Sequence, residues 1–168
     1  MKSFRETFCL TVDCEPEKAW LPVVRIGGET GWHYADRLWR FRAALDRLFG
    51  GPGMRPGRRD PEELEPGDPV DFWRVVAVRP AEFLLLRAEA RLPGEAWMHF
   101  TLSRENSATR MCLTSGFVPD GPAGILYWFA VRPLHSHIFR NMLLGAARAT
   151  GCAVLSGPER NPVSDHVC

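Results

Sequence analysis

Two side chains of this sequence could take or give a proton at a binding site, Asp71 and His135. The residues expected on the same strand face as Asp71 are otherwise apolar. Burial on that face would raise the pKa of the Asp71 carboxyl group. Such a carboxyl could act as a general base or a polar anchor, although a strand edge in water or a loop cap would also explain it. His135 shares one side of an apolar C-terminal segment with Trp128, Ile138 and Met142, where its imidazole could exchange a proton. A packing histidine bonded to a backbone carbonyl would explain the same position.

The other reactive groups indicate no metal and no cofactor. The cysteines are Cys9, Cys14, Cys112, Cys152 and Cys168. They form no C-x-x-C pair, and their odd number argues against a disulfide framework, so we expect reduced thiols. His135 and His137 are two residues apart and would not face each other on a helix, which excludes a zinc motif there. The segment GGPG neither follows a strand nor opens a helix, so it is no dinucleotide cradle.

Charge and hydropathy exclude several partners. The chain has 21 basic and 20 acidic residues, so a formal charge of +1 provides no field for nucleic acid or an anionic membrane. The first residues lack the apolar region of a signal peptide, and the longest apolar run, 125–131, is too short to span a bilayer. These features predict a cytoplasmic protein without a membrane span. The length of 168 residues predicts one domain at residues 1–150, followed by a flexible tail at 151–168 that lacks periodicity.

The predicted elements that would position Asp71 and His135 are helices around an antiparallel sheet. Before the sheet, the hydropathy pattern predicts a strand at 3–12 and helices at 15–24 and 35–49. The connection rich in glycine and proline that follows should contain a short strand near 55–59. The sheet itself is predicted as a meander of four strands, about 70–78, 83–91, 95–103 and 109–118. A long apolar helix should follow to about residue 150, kinked or interrupted at Pro133.

The turns between these strands predict a register and, from it, a pocket. The predicted pairs are Asp71–Ala90, Trp73–Ala88, Val75–Leu86, Ala77–Leu84, Ala88–Met98, Leu86–Phe100, Phe100–Leu113 and Met98–Ser115. On the inner face this register brings small residues together, namely Ala88, Ala90, Ala96 and Ser115. Protein interiors are close-packed, so either a pocket lies there or a bulky side chain such as Trp128 fills the space. The residues predicted to line the pocket are Trp73, Ala88, Ala90, Met98, Phe100, Leu113, Ser115, Trp128 and Met142.

The order of elements resembles the SRPBCC superfamily of START-like, or Bet v 1-like, helix-grip domains. The matching stretches are IGGETGWHYADRLWRFR, GRRDPEELEPGD, DFWRV, RLPGEAW and LYWFAVRPLHSHIF. They are similar to an uncharacterised branch whose members often follow an atypical short-chain-dehydrogenase-like NAD(P)-binding domain. The resemblance implies an α+β helix-grip fold, with an antiparallel sheet wrapped around a long C-terminal helix and an apolar small molecule bound between them. His99, Leu113 and Ala90 replace the glutamate, glutamine and methionine that are usual in this branch, and the last two changes favour a roomier pocket.

Three functions follow as expectations. The first is the binding of a hydrophobic or aromatic small molecule in the pocket. The second is an enzyme of the cyclase or isomerase type, with Asp71 or His135 as the general acid or base. The third is an interaction module that docks on a separate NAD(P)-dependent oxidoreductase, since relatives are fused to such a domain.

Overall fold

A single antiparallel sheet contains all the strands in the part of the chain that the computed structural model describes, residues 3–55 and 58–161. The elements in chain order are β1 (Phe4–Val12), α1 (Pro16–Val24), α2 (Asp36–Leu48), β2 (Pro69–Val70), β3 (Trp73–Arg79), β4 (Phe83–Ala88), β5 (Gly94–Glu105), β6 (Ala108–Pro119), α3 (Gly121–Ala149) and β7 (Val154–Arg160). The strand order across the sheet is β2-β3-β4-β5-β6-β1-β7.

The sheet has one apolar face, and α3 covers it. Alternation in β4, β5 and β6 sends bulky apolar side chains to this face, where they are almost completely buried: Leu84, Leu86, Met98, Phe100, Met111 and Leu113. On α3 the buried side chains include Phe139, Met142 and Leu143. Burying a side chain of this size contributes about 1.5–3 kcal/mol, so the two apolar surfaces hold sheet and helix together. A sheet that wraps a long C-terminal helix in this way is the α+β helix-grip fold, and that prediction is confirmed.

The register of the meander agrees with the prediction for the faces of β4, β5 and β6 but not for Ala77 in β3, and not in every pair. In the β3–β4 hairpin, Ala77 pairs with Leu85 rather than with Leu84. The hairpin loop is longer than predicted because it spans residues 80–82, with Ala81 at a left-handed φ of 60°. A bulge just before Ala77 absorbs the extra residue, so the pairs nearer the start of β3 are as predicted.

Between β4 and β5 the strands are shifted by two residues. Leu86 pairs with Met98, whereas the sequence predicted Phe100 for it and Ala88 for Met98. A shift of two residues keeps every side chain on its predicted face, because side chains alternate with a period of two. Strand β4 ends at Ala88, so the predicted pairing of Ala90 does not occur.

The interruption expected at Pro133 does not occur, because α3 runs continuously from Gly121 to Ala149. Proline lacks a backbone N–H and leaves one carbonyl of the preceding turn without its helical partner. Pro133 is on the exposed side of the helix, where water can satisfy that carbonyl. The helix therefore passes through Pro133 with its apolar face still against the sheet.

Two expectations for irregular segments also need correction. Residues 151–168 were expected to form a flexible tail, but Val154–Arg160 is β7, which pairs with β1 and forms the edge of the sheet. The last part of that prediction, 162–168, lies outside the described residues. Near 55–59 we expected a short strand, yet Arg55, Arg58 and Arg59 belong to none. Instead, the Arg58 guanidinium donates to the carbonyl oxygens of Val24 and Ile26 at the end of α1.

The expectation that all cysteines are reduced was wrong for one pair. Cys9 and Cys112 lie opposite each other in the β1–β6 ladder, with their Cα atoms 4.1 Å apart, and a disulfide joins them. They are 103 residues apart in sequence, so only the pairing of the first strand with β6 reveals their contact. Cys14 and Cys152 are free thiols, and Cys168 lies outside the described residues.

Across residues 3–55 and 58–161, none of the helices combines the length and apolar character that crossing a lipid bilayer requires.

Candidate functional site

A cavity of about 300 Å³ lies between α2, α3 and one end of the sheet. Helix α2 contributes Leu38, Trp39, Phe41, Arg42 and Leu45. Helix α3 contributes Tyr127, Trp128, Val131, Leu134, His135, Ile138 and Phe139. The sheet and its connections contribute Phe72, Trp73, Ala88, Ala90, Leu92, Ala96, Trp97, Gly116 and Phe117. The lining is therefore apolar and rich in aromatic rings, with few polar groups.

The cavity exists because small side chains meet at this end of the inner face. Ala88 ends β4 opposite Trp73, Ala90 follows it in the connection to β5, and Ala96 is an inner residue of β5. Elsewhere on the face, leucine, methionine and phenylalanine fill the space against α3. Alanine methyl groups do not reach across to α2 and α3, so a gap remains in an otherwise close-packed interior.

Helix α2 is held over this gap by a buried carboxylate. Asp46 is 1% exposed, and its two oxygens accept hydrogen bonds from the backbone N–H groups of Arg91 at 2.6 Å and Gly53 at 2.9 Å. Arg42, one turn earlier, donates to the carbonyl oxygen of Arg91 at 3.3 Å. These bonds tie α2 to the β4–β5 connection, so the helix forms one wall of the cavity instead of packing into it.

Trp128 forms another wall and does not fill the cavity. Its indole stacks on the rings of Phe117 and Phe4, with centroid separations of 5.8 Å and 5.3 Å. This pair of stacking contacts fixes the indole against the sheet, because aromatic rings favour such offset arrangements. The alternative in which Trp128 occupies the space beside Ala88 and Ala90 is therefore excluded.

Three polar atoms of the lining residues lack a partner. Trp39 Nε1, Trp73 Nε1 and His135 Nδ1 are buried and have no hydrogen bond to any described residue. A buried polar group without a partner costs about 1–3 kcal/mol. Because His135 Nδ1 faces Glu6, the two indole N–H groups are the ones that a bound molecule with a hydrogen-bond acceptor would satisfy.

His135 reaches the cavity from α3 with a carboxylate behind it. Its ring stacks on Phe139, with centroids 4.1 Å apart, and meets Trp128 edge to face at 5.3 Å. Glu6, from β1, places its Oε2 atom 3.9 Å from His135 Nδ1. The arrangement places an imidazole between an aromatic cavity and a buried acid.

Glu6 is a buried carboxylate in a cluster of positive charge. It is 3% exposed and accepts hydrogen bonds from Ser136 Oγ at 2.6 Å and Arg160 Nη2 at 2.7 Å, with Arg132 Nε at 3.5 Å. Burial raises the pKa of Glu6, but the contacts with His135 and Ser136 and the charge of Arg160 outweigh it and lower the pKa to about 2. Glu6 is therefore ionised at neutral pH.

Asp71 does not line the cavity. Its buried carboxylate accepts a hydrogen bond from Trp32 Nε1 at 2.8 Å, and both of its oxygens lie 3.3 Å from the backbone nitrogen of Gly28. It also has a left-handed φ of 53°, in a turn just before β3 rather than in a strand. Asp71 holds the glycine-rich loop after α1 against the sheet, which is the loop-cap alternative left open by the sequence.

Of the other residues proposed from the sequence, Trp73, Ala88, Ala90, Trp128 and His135 line the cavity. The remainder lie deeper in the core and do not line it: Met98, Phe100, Leu113, Ser115 and Met142. They share the inner face with the alanines, but α3 packs directly on that part of the sheet. Face assignment alone could not separate a covered part of the sheet from an open one.

Sequence reasoning missed the contribution of the apolar stripe of α2 and that of β1. The apolar stripe of Leu38, Phe41 and Leu45 was recognisable at helical spacing, but nothing indicated that it would meet a cavity. For Glu6 the only signal was a carboxylate within a strand of mostly apolar residues. Its contact with His135 depends on the pairing of β1 with β6 beneath α3.

Solved structures with a similar arrangement are known at low sequence identity. An HSP90 activator from Plasmodium falciparum is 14% identical, covering 92% of this chain and 99% of its own, with a TM-score of 0.47. An aromatase/cyclase from Streptomyces sp. R1128 is 14% identical, covering 89% and 94%, with a TM-score of 0.48. Norcoclaurine synthase from Thalictrum flavum is 10% identical, covering 88% and 86%, with a TM-score of 0.49. These values support no inference about ligand, reaction or partner.

No curated protein matches this chain. The sequence model of one protein family, described as "Protein of unknown function (DUF2867)", matches residues 3–142. That stretch includes α1, α2, the strands from β1 to β6 and the cavity-lining part of α3. Because the match spans most of its length, the chain belongs to the DUF2867 family.

Proposed function

We propose that this protein binds an aromatic or other apolar small molecule in the cavity between α2, α3 and the sheet. The observation that carries the proposal is the cavity itself, about 300 Å³ in volume and lined mainly by apolar side chains. This volume is at the lower end of the range for small-molecule sites, so the ligand is a compact molecule of a few rings. Burial of its apolar surface supplies the main driving force.

The polar groups of the lining restrict the chemistry of this ligand further. The indole N–H groups of Trp39 and Trp73 can only donate, and Arg42 is a third donor in the wall. A ligand that combines an apolar ring system with a carbonyl or hydroxyl oxygen would satisfy such donors. Pure hydrocarbons would leave them unpaired and should bind more weakly.

The ligand enters on the side of the cavity that carries exposed apolar side chains. Leu38 and Phe41 on α2 and Leu134 on α3 line the cavity yet are 44%, 62% and 53% exposed. Such side chains are unusual at the edge of a closed core, but they suit a mouth through which an apolar molecule passes.

The experiment that tests this proposal is a titration with the neutral fluorescent probe N-phenyl-1-naphthylamine. Four tryptophans line the cavity (Trp39, Trp73, Trp97 and Trp128), so a bound probe should quench their emission by energy transfer. Replacing Ala90 with phenylalanine fills the cavity and should weaken binding at least about tenfold, which corresponds to about 1.4 kcal/mol. Ala90→Met, the residue usual in the similar branch, should have an intermediate effect.

Ala44→Phe is the matched control, because Ala44 is exposed on α2 and does not line the cavity. It adds the same ring to the protein surface and should leave the affinity unchanged. Equal probe affinities of the wild type, Ala90→Phe and Ala44→Phe would contradict binding in the cavity.

A second function, proton-transfer catalysis of the cyclase or isomerase type, is favoured by one observation. His135 lines the cavity while the ionised Glu6 faces its Nδ1 atom at 3.9 Å. A carboxylate behind an imidazole can orient the ring and stabilise its protonated form during the transfer. Asp71 has no part in this second proposal, because it lies outside the cavity. Docking on a separate NAD(P)-dependent oxidoreductase stays a prediction from the sequence resemblance.

The two functions differ in the effect of His135→Gln. A binding protein should keep its affinity for a ligand found to bind in the cavity, and that ligand should be recovered unchanged. An enzyme should convert the ligand, and the variant should bind it equally well but convert it about 100-fold more slowly, the usual range for losing a general acid or base.

A further inference from the structure

Two free thiols meet at the corner where β1 ends and β7 begins, away from the cavity. The backbone N–H of Asp13 donates to the carbonyl oxygen of Ala153 at 2.9 Å, which continues the antiparallel β1–β7 ladder. Cys14 directly follows Asp13 and Cys152 directly precedes Ala153, so the two cysteines flank this hydrogen bond at the end of the ladder. Their thiols lie near enough that each affects the titration of the other.

The surroundings of the two thiols differ. Lys18, on α1, lies near the Cys152 thiol, which raises the pKa of the lysine. Burial opposes ionisation of Cys152, but the nearby ammonium group of Lys18 outweighs it and lowers the pKa. For Cys14, burial and the neighbouring Cys152 together raise the pKa to about 11. Cys152 is thus the thiol that ionises first, and a thiolate is the reactive form of cysteine.

Both thiols are accessible and suitably placed for bond formation. Cys14 and Cys152 are partly exposed, so a small oxidant can reach them. Continuing the β1–β7 register past Val12 and Val154 would place Cys14 and Cys152 opposite each other, with Cα atoms about 4.5–5.5 Å apart, a separation that a disulfide spans. Cys9 and Cys112 show that the same strand β1 already carries one cross-strand disulfide.

We propose that Cys152 and Cys14 form a reactive dithiol site that reduces hydroperoxides and closes to a second disulfide. The Cys152 thiolate attacks one peroxide oxygen and the O–O bond breaks. The leaving oxygen takes a proton and departs as water or an alcohol, leaving Cys152 as a sulfenic acid. Cys14 then attacks the Cys152 sulfur, and its proton goes to the leaving hydroxyl, which departs as water. Two thiols lose two electrons in total and one hydroperoxide gains them.

This disulfide would connect the start of α1 with the end of α3. Cys14 lies just before α1, and Cys152 follows α3 in the turn that leads to β7. The oxidised protein would therefore have its long helix covalently linked to the first strand and first helix. A thiol reductant restores the two free thiols.

The test uses the full chain, hydrogen peroxide, and mapping of the products by mass spectrometry after free thiols are alkylated. Combined cleavage with trypsin and an enzyme that cuts before aspartate separates Cys9 from Cys14, because Asp13 lies between them. We expect a linked peptide pair containing Cys14 and Cys152, formed at least about tenfold faster than glutathione is oxidised under the same conditions. Dithiothreitol should reverse it.

Single variants assign the two roles. In Cys14→Ser, Cys152 should accumulate as a sulfenic acid that dimedone traps, while in Cys152→Ser the Cys14 thiol should stay alkylatable. Lys18→Gln should slow disulfide formation about fivefold, because less thiolate is present. Circular dichroism of each variant confirms that it is folded before its reaction is compared.

Three results would overturn the proposal. The first is peroxide oxidation of the wild type no faster than that of glutathione. The second is Cys14 reacting in Cys152→Ser as fast as Cys152 reacts in the wild type. The third is a product in which Cys14 and Cys152 are linked to other cysteines rather than to each other.

Discussion

The indole Nε1 of Trp32 donates a hydrogen bond of 2.8 Å to the carboxylate of Asp71, and both side chains are buried. Gly28 lies against the same carboxylate through its backbone nitrogen. Asp71 therefore joins the loop after α1 to the turn before β3. A carboxylate engaged in this way supports the fold, and the chemistry of the cavity depends on other residues.

Replacing Asp71 with alanine should destabilise the protein without changing ligand binding. The Trp32 indole and the Gly28 amide would remain buried without an acceptor, at a cost of about 1–3 kcal/mol. Urea denaturation measures this loss, and the naphthylamine titration measures affinity in the same samples. An Asp71→Ala protein of unchanged stability but weakened probe binding would return Asp71 to the binding site.

Asp46→Ala should lower both the stability of the protein and its affinity for the probe. Its carboxylate holds α2 to the backbone of Arg91 and Gly53, and α2 forms one wall of the cavity. Loss of these bonds should destabilise the protein by about 1–3 kcal/mol and weaken probe binding several-fold, because the wall loosens. Comparison with Asp71→Ala separates the two effects, since both variants remove one buried carboxylate. Identical probe affinities of the two variants would show that α2 does not form the site.

The stability of the protein should depend on Glu6 between about pH 5 and pH 2. Its pKa in the folded protein is lowered from an ordinary 4.5 to about 2, so its stabilising effect is present above pH 4.5 and is lost as the pH falls through 2. The shift corresponds to a loss on the order of 3 kcal/mol.

Urea denaturation of the wild type and Glu6→Gln at several pH values measures this contribution. The uncharged glutamine cannot titrate, so the variant should be less stable at neutral pH and lose less stability on acidification. Parallel curves for the two proteins would contradict the assignment of this pH dependence to Glu6.

Trp128→Ala should enlarge the cavity and destabilise the protein. The substitution removes the stacking contacts with Phe4 and Phe117 and leaves a void, which costs about 3–5 kcal/mol for a buried aromatic residue. The enlarged cavity should admit apolar ligands one ring larger than those the wild type binds. Phe129→Ala is the control, because Phe129 is the next residue on α3 but is 56% exposed. Equal losses of stability in the two variants would show that Trp128 is not a buried wall.

The sequence was sufficient for the sheet faces and the long helix, because side-chain alternation and helical spacing are local patterns. Even the two-residue shift between Leu86 and its partner in β5 preserved the face of each residue. Contacts that depend on distant pairing could not be predicted: the Cys9–Cys112 bond, the position of Glu6 behind His135, and the addition of β7 beside β1. The sequence predicted the cavity at Ala88 and Ala90 but not at the apolar stripe of α2, whose position depends on the buried hydrogen bonds of Asp46.

The measurement that tests the central claim most directly is a crystal structure of the protein grown with N-phenyl-1-naphthylamine. The account predicts density for the probe between α2 and α3, with its rings against Ala90 and Phe139. Probe density confined to the exposed Leu48 and Phe49 at the end of α2, with the cavity collapsed, would contradict it.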